Sequence, residues 1–283
     1  MTKTIASLFS GCGGLDLGFT GGFYYRGQEY HRLNTNVVFA NDFDVDAQTC
    51  YNANPLLTED GAECLLADIR TVDANEIPNF DILLAGFPCQ PFSNAGNRRG
   101  IDDSNGRGTL FSECERIIQA KIKIGHKPQA FVFENVRGIL SSRMPDGVTT
   151  VPQEIINRMH ALGYDVSMKL LCASDYGVPQ KRYRVLIIGI DKEVGLGAFN
   201  FDNLIELVRE LHIPSETYGE HEELVLGRIL KGVENVSDND VWQFSPGTQK
   251  MVDLIGGCVH GLQAFEHVYD WYHLEDLPQD CFE

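Results

Sequence analysis

The octapeptide SLFSGCGG at Ser7–Gly14 ends an apolar, strand-like run and leads into a helix-like run. Glycines at such a junction allow a tight turn and a close approach of the backbone to a ligand. The helix that follows offers free N–H groups and the positive end of its dipole. Such a turn also occurs in plain connecting loops, so the residues that follow decide its interpretation.

Short apolar runs rich in β-forming residues alternate with helix-length segments along the chain. The predicted strands are Thr4–Phe9, Val37–Ala40, Ile82–Ala85, Ala130–Phe133, Val166–Leu171 and Val185–Ile190. The predicted helices are Gly14–Thr20, Val45–Tyr51, Leu110–Ile124 and Val151–Leu162. This alternation predicts an α/β fold whose mostly parallel sheet is flanked by helices. Tyr24–Asn36 is interpreted as an insertion loop, and Asn94–Gly108 as a mobile loop rich in Gly, Asn, Asp and Arg.

Two carboxylates follow the apolar runs near the glycine turn. Asp42 comes two residues after the second predicted strand, where a carboxylate can accept both hydroxyls of a ribose. Asp68 ends a second apolar segment and is suited to accept an adenine amino proton. The spacing from Gly11 to Asp42 exceeds the roughly twenty residues of a dinucleotide-binding fold. The insertion at Tyr24–Asn36 absorbs the difference.

A second octapeptide, GFPCQPFS at Gly86–Ser93, follows the apolar run Phe80–Ala85. It places Cys89 just past a strand end, where open α/β sheets bind their ligands. An ionised thiol at that position is a strong nucleophile. The alternative for Cys89 is a small buried apolar residue.

Two further motifs carry charge at strand ends. Glu134, in the segment FVFENV, follows another apolar run and can protonate or hydrogen-bond a ring nitrogen. The segment QKRYR holds Gln180, Arg182 and Arg184 ahead of a predicted strand, and the two arginines are expected on one strand face. Solvated surface charge is the alternative for Glu134, Arg182 and Arg184.

In order and spacing, these motifs resemble those of the DNA cytosine-5 methyltransferases over about residues 4 to 190. The resemblance implies a Rossmann-like fold that uses S-adenosylmethionine, and a Cys89 adduct to C6 of a flipped cytosine. It implies catalytic roles for Cys89, Glu134, Arg182, Arg184 and Gln180. The cofactor-binding residues that it implies are Phe9, Ser10, Gly11, Cys12, Gly13, Gly14, Asp42, Phe43, Asp68, Ile69, Gly86, Pro88 and Leu110. The DNA contacts expected are Gln90, Ser93, Arg98, Arg99 and Arg107.

The charge of the chain is unusual for a protein that binds DNA, which normally carries a basic surface. The formal net charge is −17, of which −13 lies in residues 200–283 and −4 in residues 1–199. The family's late motifs and target-recognition domain are not recognisable after Ile190. We therefore predict a catalytic domain at 1–199 and an acidic segment at 200–283 that docks a basic partner chain. The resemblance then is to the larger catalytic subunit of a split, two-chain restriction–modification enzyme.

Several features exclude other classes of protein or site. The eight cysteines form no Cys-x-x-Cys pair, so we expect neither a metal site nor disulfides. No run of about 18 apolar residues predicts a membrane span, and no signal peptide is visible. We therefore expect a cytoplasmic protein. Three alternatives stay open: an enzyme acting on RNA such as tRNA, a non-catalytic regulatory subunit, and a truncated piece of a longer chain.

Overall fold

The computed structural model describes residues 2–25, 28–88, 110–144, 146–176, 178 and 180–203. The chain divides into two compact units. The first unit holds the described residues up to 171 and those from 183 to 203. The second unit holds 172–176, 178 and 180–182. The strands are β1 Lys3–Leu8, β2 Phe23–Tyr25, β3 Gln28–Tyr30, β4 Thr35–Asp42, β5 Cys64–Leu66, β6 Ile82–Ala85, β7 Ala130–Val136, β8 Tyr164–Cys172 and β9 Tyr183–Asp191. The helices are α1 Gly14–Thr20, α2 Val45–Asn52, α3 Pro55–Thr58, α4 Leu110–Lys123 and α5 Val151–Ala161.

Seven of these strands form one sheet in the order β5-β4-β1-β6-β7-β9-β8. Strand β1 pairs in parallel with β4 on one side and β6 on the other, while β4–β5 and β6–β7 are also parallel. Strand β9 runs antiparallel to β7. The prediction of a mostly parallel α/β sheet is thus confirmed. The chain order reverses beside β1, so the carboxyl ends of β1, β4 and β6 open at a crevice suited to a ligand.

The sheet is buried on both faces, as expected for parallel strands covered by helices. Alternate side chains of one strand enter different apolar clusters, because successive residues point to opposite faces. One cluster joins Ala6, Leu83 and Phe133 to residues of α4 and α5, including Ile117 and Ile155. The other joins Ile5, Val37, Leu84, Tyr51 and Leu57. This two-sided core holds the strand ends in fixed positions.

All ten predicted strands and helices form, with shifts of a few residues at their ends. The prediction for Tyr24–Asn36 is wrong in part, because β2 and β3 form an antiparallel hairpin and β4 begins at Thr35. The rings of Phe23 and Tyr30 stack across the hairpin, with centroids 5.0 Å apart. Strands of three residues are too short to produce a clear alternation of apolar and polar residues. The same reason explains why β5 was not predicted.

Candidate active site

The glycine turn after β1 adopts backbone angles that few residues tolerate. Gly11 has φ 56° and Gly13 has φ 83°, while Phe9, at φ 55°, is the one non-glycine residue with positive φ in the described chain. A bulky residue in this region stores strain of about 1–3 kcal/mol. The turn is held by Ser10 N–H donating to the carbonyl of Asn41 at 3.0 Å and by Gly13 N–H donating to the carbonyl of Ser10 at 2.9 Å. The expected tight turn is therefore present, with Phe9 at its start.

Gly13 is also required for a steric reason, because its neighbours leave no room for a side chain. A Cβ atom at this position would overlap Cδ1 of Leu57 and lie 3.1 Å from the Tyr51 ring. At Gly14, by contrast, a Cβ would meet no heavy atom within 4 Å. The turn thus packs directly on α2 and α3 through Gly13.

Asp42, at the end of β4, ties two loops together. Its side chain accepts the N–H of Gly11 at 2.8 Å and the N–H of Asp44 at 3.0 Å, and the residue is 8% exposed. Each carboxylate oxygen accepts more than one hydrogen bond, so the predicted bonds to a ribose stay compatible with this arrangement. The tie between the loops was not anticipated from the sequence.

A cavity of about 370 Å³ opens beside the turn, at the carboxyl ends of β1, β4 and β5. Six predicted cofactor residues line it: Phe9, Phe43, Asp68, Ile69, Pro88 and Leu110. Three residues that the sequence reasoning missed also line it: Asn41, Ala67 and Arg70. Seven predicted residues do not line it, namely Ser10, Gly11, Cys12, Gly13, Gly14, Asp42 and Gly86, and all but Gly86 belong to the glycine turn or contact it.

The polar wall of the cavity is an ion pair between Asp68 and Arg70. The guanidinium Nη2 lies 2.5 Å from Oδ2, and Nε lies 3.0 Å from both carboxylate oxygens. These bonds hold the pKa of Asp68 below its ordinary value. Asp68 also accepts the backbone N–H of Arg70 and so begins the short 3-10 helix Ile69–Thr71. An arginine in a short polar turn has no periodic pattern, which is why Arg70 was missed.

The cavity fits the adenosine part of S-adenosylmethionine. Its volume lies in the range of small-molecule sites, and apolar and aromatic groups dominate its wall. The ring of Phe43 is 69% exposed and therefore available to a ligand, whereas Phe9 is half-buried against the core. Asp68 lies in the cavity wall, and its predicted role as acceptor for the adenine amino group stays a prediction. These side chains are the ones that would hold the cofactor.

Glu134 lies near the end of β7 and pairs with Arg184. Nε of the arginine contacts Oε1 of the glutamate, and the two residues lie on the neighbouring strands β9 and β7. A Cβ atom built at Gly86 would stand 3.5 Å from Oε2, so this oxygen faces the segment that leads to Cys89. Of the two arginines in the QKRYR segment, Arg184 is thus the one that contacts Glu134.

Asn135 anchors the same segment from the next position of β7. Its Nδ2 donates to the carbonyl of Phe87 at 3.0 Å, and its Oδ1 accepts the N–H of Val136. Asn135 is 2% exposed, and the Phe87 ring packs against Phe111 and Phe133. The chain is therefore held two residues before Cys89. An amide directly after a strand-end glutamate is the signal that could have identified Asn135.

Gln180 and Arg182 belong to the second unit, where both are exposed. The N–H of Gln180 donates to the carbonyl of Val178 at 2.7 Å, and the carbonyl of Arg182 accepts the N–H of Ala173 at 2.8 Å. Strand β9 begins at Tyr183, so the expectation that Arg182 and Arg184 alternate on one strand is wrong for Arg182. The catalytic roles of Gln180 and Arg182 stay predictions.

Several predicted residues lie outside the described part of the chain: Cys89, Gln90, Ser93, Arg98, Arg99 and Arg107. The acidic segment does too from residue 204 onward. Within the described ranges, no cluster of His, Cys, Asp and Glu side chains could hold a metal ion. No helix there is long and apolar enough to cross a membrane.

Comparison with known proteins relates this geometry to one family. The family model of the C-5 cytosine-specific DNA methylases matches residues 3–260. The Type II methyltransferase M.NgoFVII of Neisseria gonorrhoeae is 33% identical over 260 residues, which are 89% of this chain and 59% of that protein. M.FnuDI of Fusobacterium nucleatum is 38% identical over 197 residues, 70% of this chain and 49% of that protein. The chain thus spans about half to three fifths of the length of these relatives.

Solved structures show the same fold. The methyltransferase EhMeth of Entamoeba histolytica superposes with a TM-score of 0.52 at 20% identity, over 67% of this chain and 53% of that chain. A DNMT2 mutant of Spodoptera frugiperda gives a TM-score of 0.50 at 25% identity, over 67% of this chain and 50% of that chain. The match of the family model to residue 260 also corrects the extent expected from the motifs, which ended near residue 190.

Proposed function

Because this chain belongs to the C-5 cytosine-specific DNA methylase family, we propose that it transfers a methyl group from S-adenosylmethionine to C5 of cytosine in DNA. One observation carries the proposal, and it concerns the segment before Cys89. Gly86 faces the Glu134 carboxylate, and Pro88 lines the cavity that fits adenosine. Cys89 is the next residue along the chain after Pro88. The proposal therefore has the Cys89 thiol act beside this acid and this cavity.

Cytosine C5 is a poor nucleophile, because the ring is aromatic. Addition of the Cys89 thiolate to C6 removes that aromaticity and makes C5 an enamine carbon. S-adenosylmethionine, bound in the cavity, supplies the electrophilic methyl group. After C5 takes the methyl, loss of its proton and expulsion of the thiolate restore the ring. Atoms and charge then balance, with methylated cytosine, a free thiol and a neutral thioether as products.

Glu134 assists the addition at the opposite edge of the ring. A proton or hydrogen bond from its carboxyl group to N3 draws electrons away from C6, and groups in this role typically contribute 10²–10⁴-fold to a rate. Arg184 holds Oε1, which leaves Oε2 directed towards the segment that leads to Cys89. The target base must leave the DNA stack to reach these groups. Gln90, Ser93, Arg98, Arg99 and Arg107 are the proposed DNA contacts.

The reading of the DNA sequence belongs, in this proposal, to a second, basic chain. One observation supports it. Residues 200–283 carry a net charge of −13, which opposes contact with phosphates. The domain boundary near residue 199 and the docking role of the acidic segment are part of the same proposal.

Covalent trapping tests the catalytic proposal. The chain is incubated with S-adenosylmethionine and DNA that contains 5-fluorocytosine, which blocks release of the enzyme after methyl transfer. We expect an adduct that survives denaturation and that disappears in Cys89→Ala. Persistence of the adduct in Cys89→Ala would contradict the assignment. Repeating the assay with tRNA tests the RNA alternative, and absence of transfer under every condition would favour a regulatory subunit.

The same assay tests the second chain. Without a partner, we expect weak transfer and no preference among DNA sequences. Addition of a basic partner chain should restore both rate and sequence preference. Robust methylation at one sequence by the chain alone would overturn the two-chain proposal and leave the catalytic one intact.

A further inference from the structure

A buried carboxyl group lies beneath the glycine turn and takes no part in the proposed chemistry. Asp16 is in α1, and its side chain is fully buried. Oδ1 accepts a hydrogen bond from the Ser7 hydroxyl at 2.6 Å. Oδ2 and the Tyr51 hydroxyl have no partner of good hydrogen-bond geometry, although they face each other closely enough for the tyrosine to lower the pKa of the carboxyl. A half-satisfied buried carboxyl is costly, so its presence calls for a role.

Two routes connect Asp16 to the turn. In the first, the Ser7 hydroxyl that bonds Asp16 also accepts from the Ser10 hydroxyl at 3.0 Å. Ser10 is part of the turn, and its Oγ accepts the N–H of Asn41 at 3.2 Å. Asn41 in turn lines the cavity. Three hydrogen bonds therefore join Asp16 to a residue of the cavity wall.

The second route is a packing contact. The Tyr51 ring lies against Gly13, so closely that a Cβ there would stand 3.1 Å from two ring carbons. The same tyrosine faces the Asp16 carboxyl with its hydroxyl. The turn thus contacts Tyr51 through Gly13 and Ser7 through Ser10, with Asp16 behind both.

Burial raises the pKa of Asp16 from 3.8 to about 6, and the Ser7 and Tyr51 hydroxyls only partly oppose this effect. Other groups around it titrate far from that range. Burial raises the pKa of Tyr51 above its ordinary value, and burial together with the Asp42 charge raises the pKa of Cys64 to about 11. Helix α3, which packs on α1, contains no ionisable side chain. Of these groups, Asp16 is the one that changes charge between pH 5 and 7.

We propose that Asp16 is a positioning residue whose negative charge favours binding of the sulfonium cofactor. Ser7, Ser10 and Tyr51 connect this carboxylate to the turn. Binding of the positively charged cofactor is therefore coupled to release of a proton from Asp16. The inference rests on the proposed function, because it takes S-adenosylmethionine as the ligand. The sulfonium gives this cofactor one positive charge more than its demethylated product. In a buried site, a charge acts over a longer distance than it does in water. A cationic ligand therefore favours the ionised carboxyl, and the carboxyl favours the cation.

Calorimetric titration at pH 6 tests the coupling. S-adenosylmethionine is titrated into the chain in buffers of different ionisation enthalpy, which reveals the number of protons released. We expect release of up to about half a proton, because the carboxyl is half-protonated near its pKa. S-adenosylhomocysteine, which lacks the positive sulfur, should release clearly less. Equal release with both ligands, or none with either, overturns the proposal.

Asp16→Asn keeps an oxygen for the Ser7 hydroxyl and removes the charge. In this variant we expect no proton release at pH 6 and an affinity for S-adenosylmethionine that does not vary between pH 5 and 7.5. In the parent chain the affinity should rise over the same interval, about tenfold for each unit by which the cofactor shifts the carboxyl titration. Asp60→Asn, which removes an exposed carboxylate after α3, should behave like the parent chain. Unchanged proton release in Asp16→Asn contradicts the role of Asp16.

The melting temperature, measured at several pH values, shows whether Asp16→Asn is folded. Because the folded-state pKa of Asp16 is raised, its stabilising contribution is complete below about pH 4 and is lost as pH rises through about 6. Asp16→Asn should therefore melt at a higher temperature than the parent chain at pH 7.5, with a smaller difference at pH 4.5. Should S-adenosylmethionine fail to bind the parent chain at any pH, the proposed function is at fault. Binding of S-adenosylmethionine without proton release would contradict the role of Asp16 and leave the proposed function intact.

Discussion

Two loops that follow the carboxyl ends of central strands are held in different ways. The glycine turn Phe9–Gly13 is tied by a carboxylate, because Asp42 accepts the N–H of Gly11 and of a residue on its own loop. The segment before Cys89 is tied by a neutral amide, because buried Asn135 donates to the carbonyl of Phe87. The first tie brings charge to a loop that would meet a cationic cofactor. The second fixes a backbone without adding charge beside the proposed nucleophile.

The largest expected effect is on the rate of methyl transfer, and it comes from a change at Glu134. Glu134→Gln keeps the shape of the side chain but removes its acid, and we expect methyl transfer to fall about 10²–10⁴-fold. The affinity for S-adenosylmethionine should change little, because Glu134 does not line the cavity. Single-turnover rates and equilibrium binding measure the two effects separately. A comparable loss of cofactor affinity would show that the two loops are not functionally distinct.

The next largest effect should come from Gly13→Ala in the glycine turn. The added methyl group overlaps Leu57 at a backbone angle that favours glycine, which combines overpacking with strain. We expect the free energy of unfolding to fall by about 2–4 kcal/mol, measured by denaturant titration.

Gly14→Ala is the matched control for this substitution. Its Cβ meets no atom within 4 Å, and the position is the first residue of α1. We expect a change within about 1 kcal/mol, which reflects helix propensity alone. Equal effects of the two substitutions would show that the contact with Leu57 and Tyr51 is not what makes Gly13 necessary.

Removal of the Asp42 carboxylate should lower the free energy of unfolding more than removal of the Asn135 amide. Asp42→Ala leaves two backbone N–H groups without their charged acceptor, and we expect a loss of about 2–3 kcal/mol in the free energy of unfolding. Affinity for S-adenosylmethionine should weaken in parallel, as measured by calorimetry. Asp60→Ala removes an exposed carboxylate and should change neither quantity. Full cofactor affinity in Asp42→Ala would remove Asp42 from the cofactor site.

Removal of the neutral tie should have the smallest effect on stability. Asn135→Ala leaves the buried carbonyl of Phe87 without a donor, and we expect a loss of about 1–2 kcal/mol. The rate of adduct formation should fall while cofactor affinity is preserved, which trapping and calorimetry can separate. Asn157→Ala, on the exposed face of α5, is the control. A fall in cofactor affinity with an unchanged adduct rate would contradict the role given to Asn135.

Much of the fold followed from the sequence, because long elements carry a strong periodic pattern. Strands such as β7 and β9 and helices such as α4 bury one or both faces, and their apolar residues recur at the matching period. The hairpin of β2 and β3 and the edge strand β5 contain three residues each, too few for any period to show. The predicted insertion loop was wrong for that reason.

For the site, the sequence by itself determined which residue types stand at the strand ends. Glu134 was identified from its motif and Asp68 from its place after an apolar run, and both lie near the carboxyl ends of strands. Only the tertiary structure decided which partner each polar group takes. Arg70 pairs with Asp68, Asn135 holds Phe87, and Asp16 lies behind the turn, because hydrogen bonds join residues that are distant along the chain or lack any periodic signal. A pattern read along one chain records burial, whereas a hydrogen bond depends on the distance and direction between groups that the fold alone brings together.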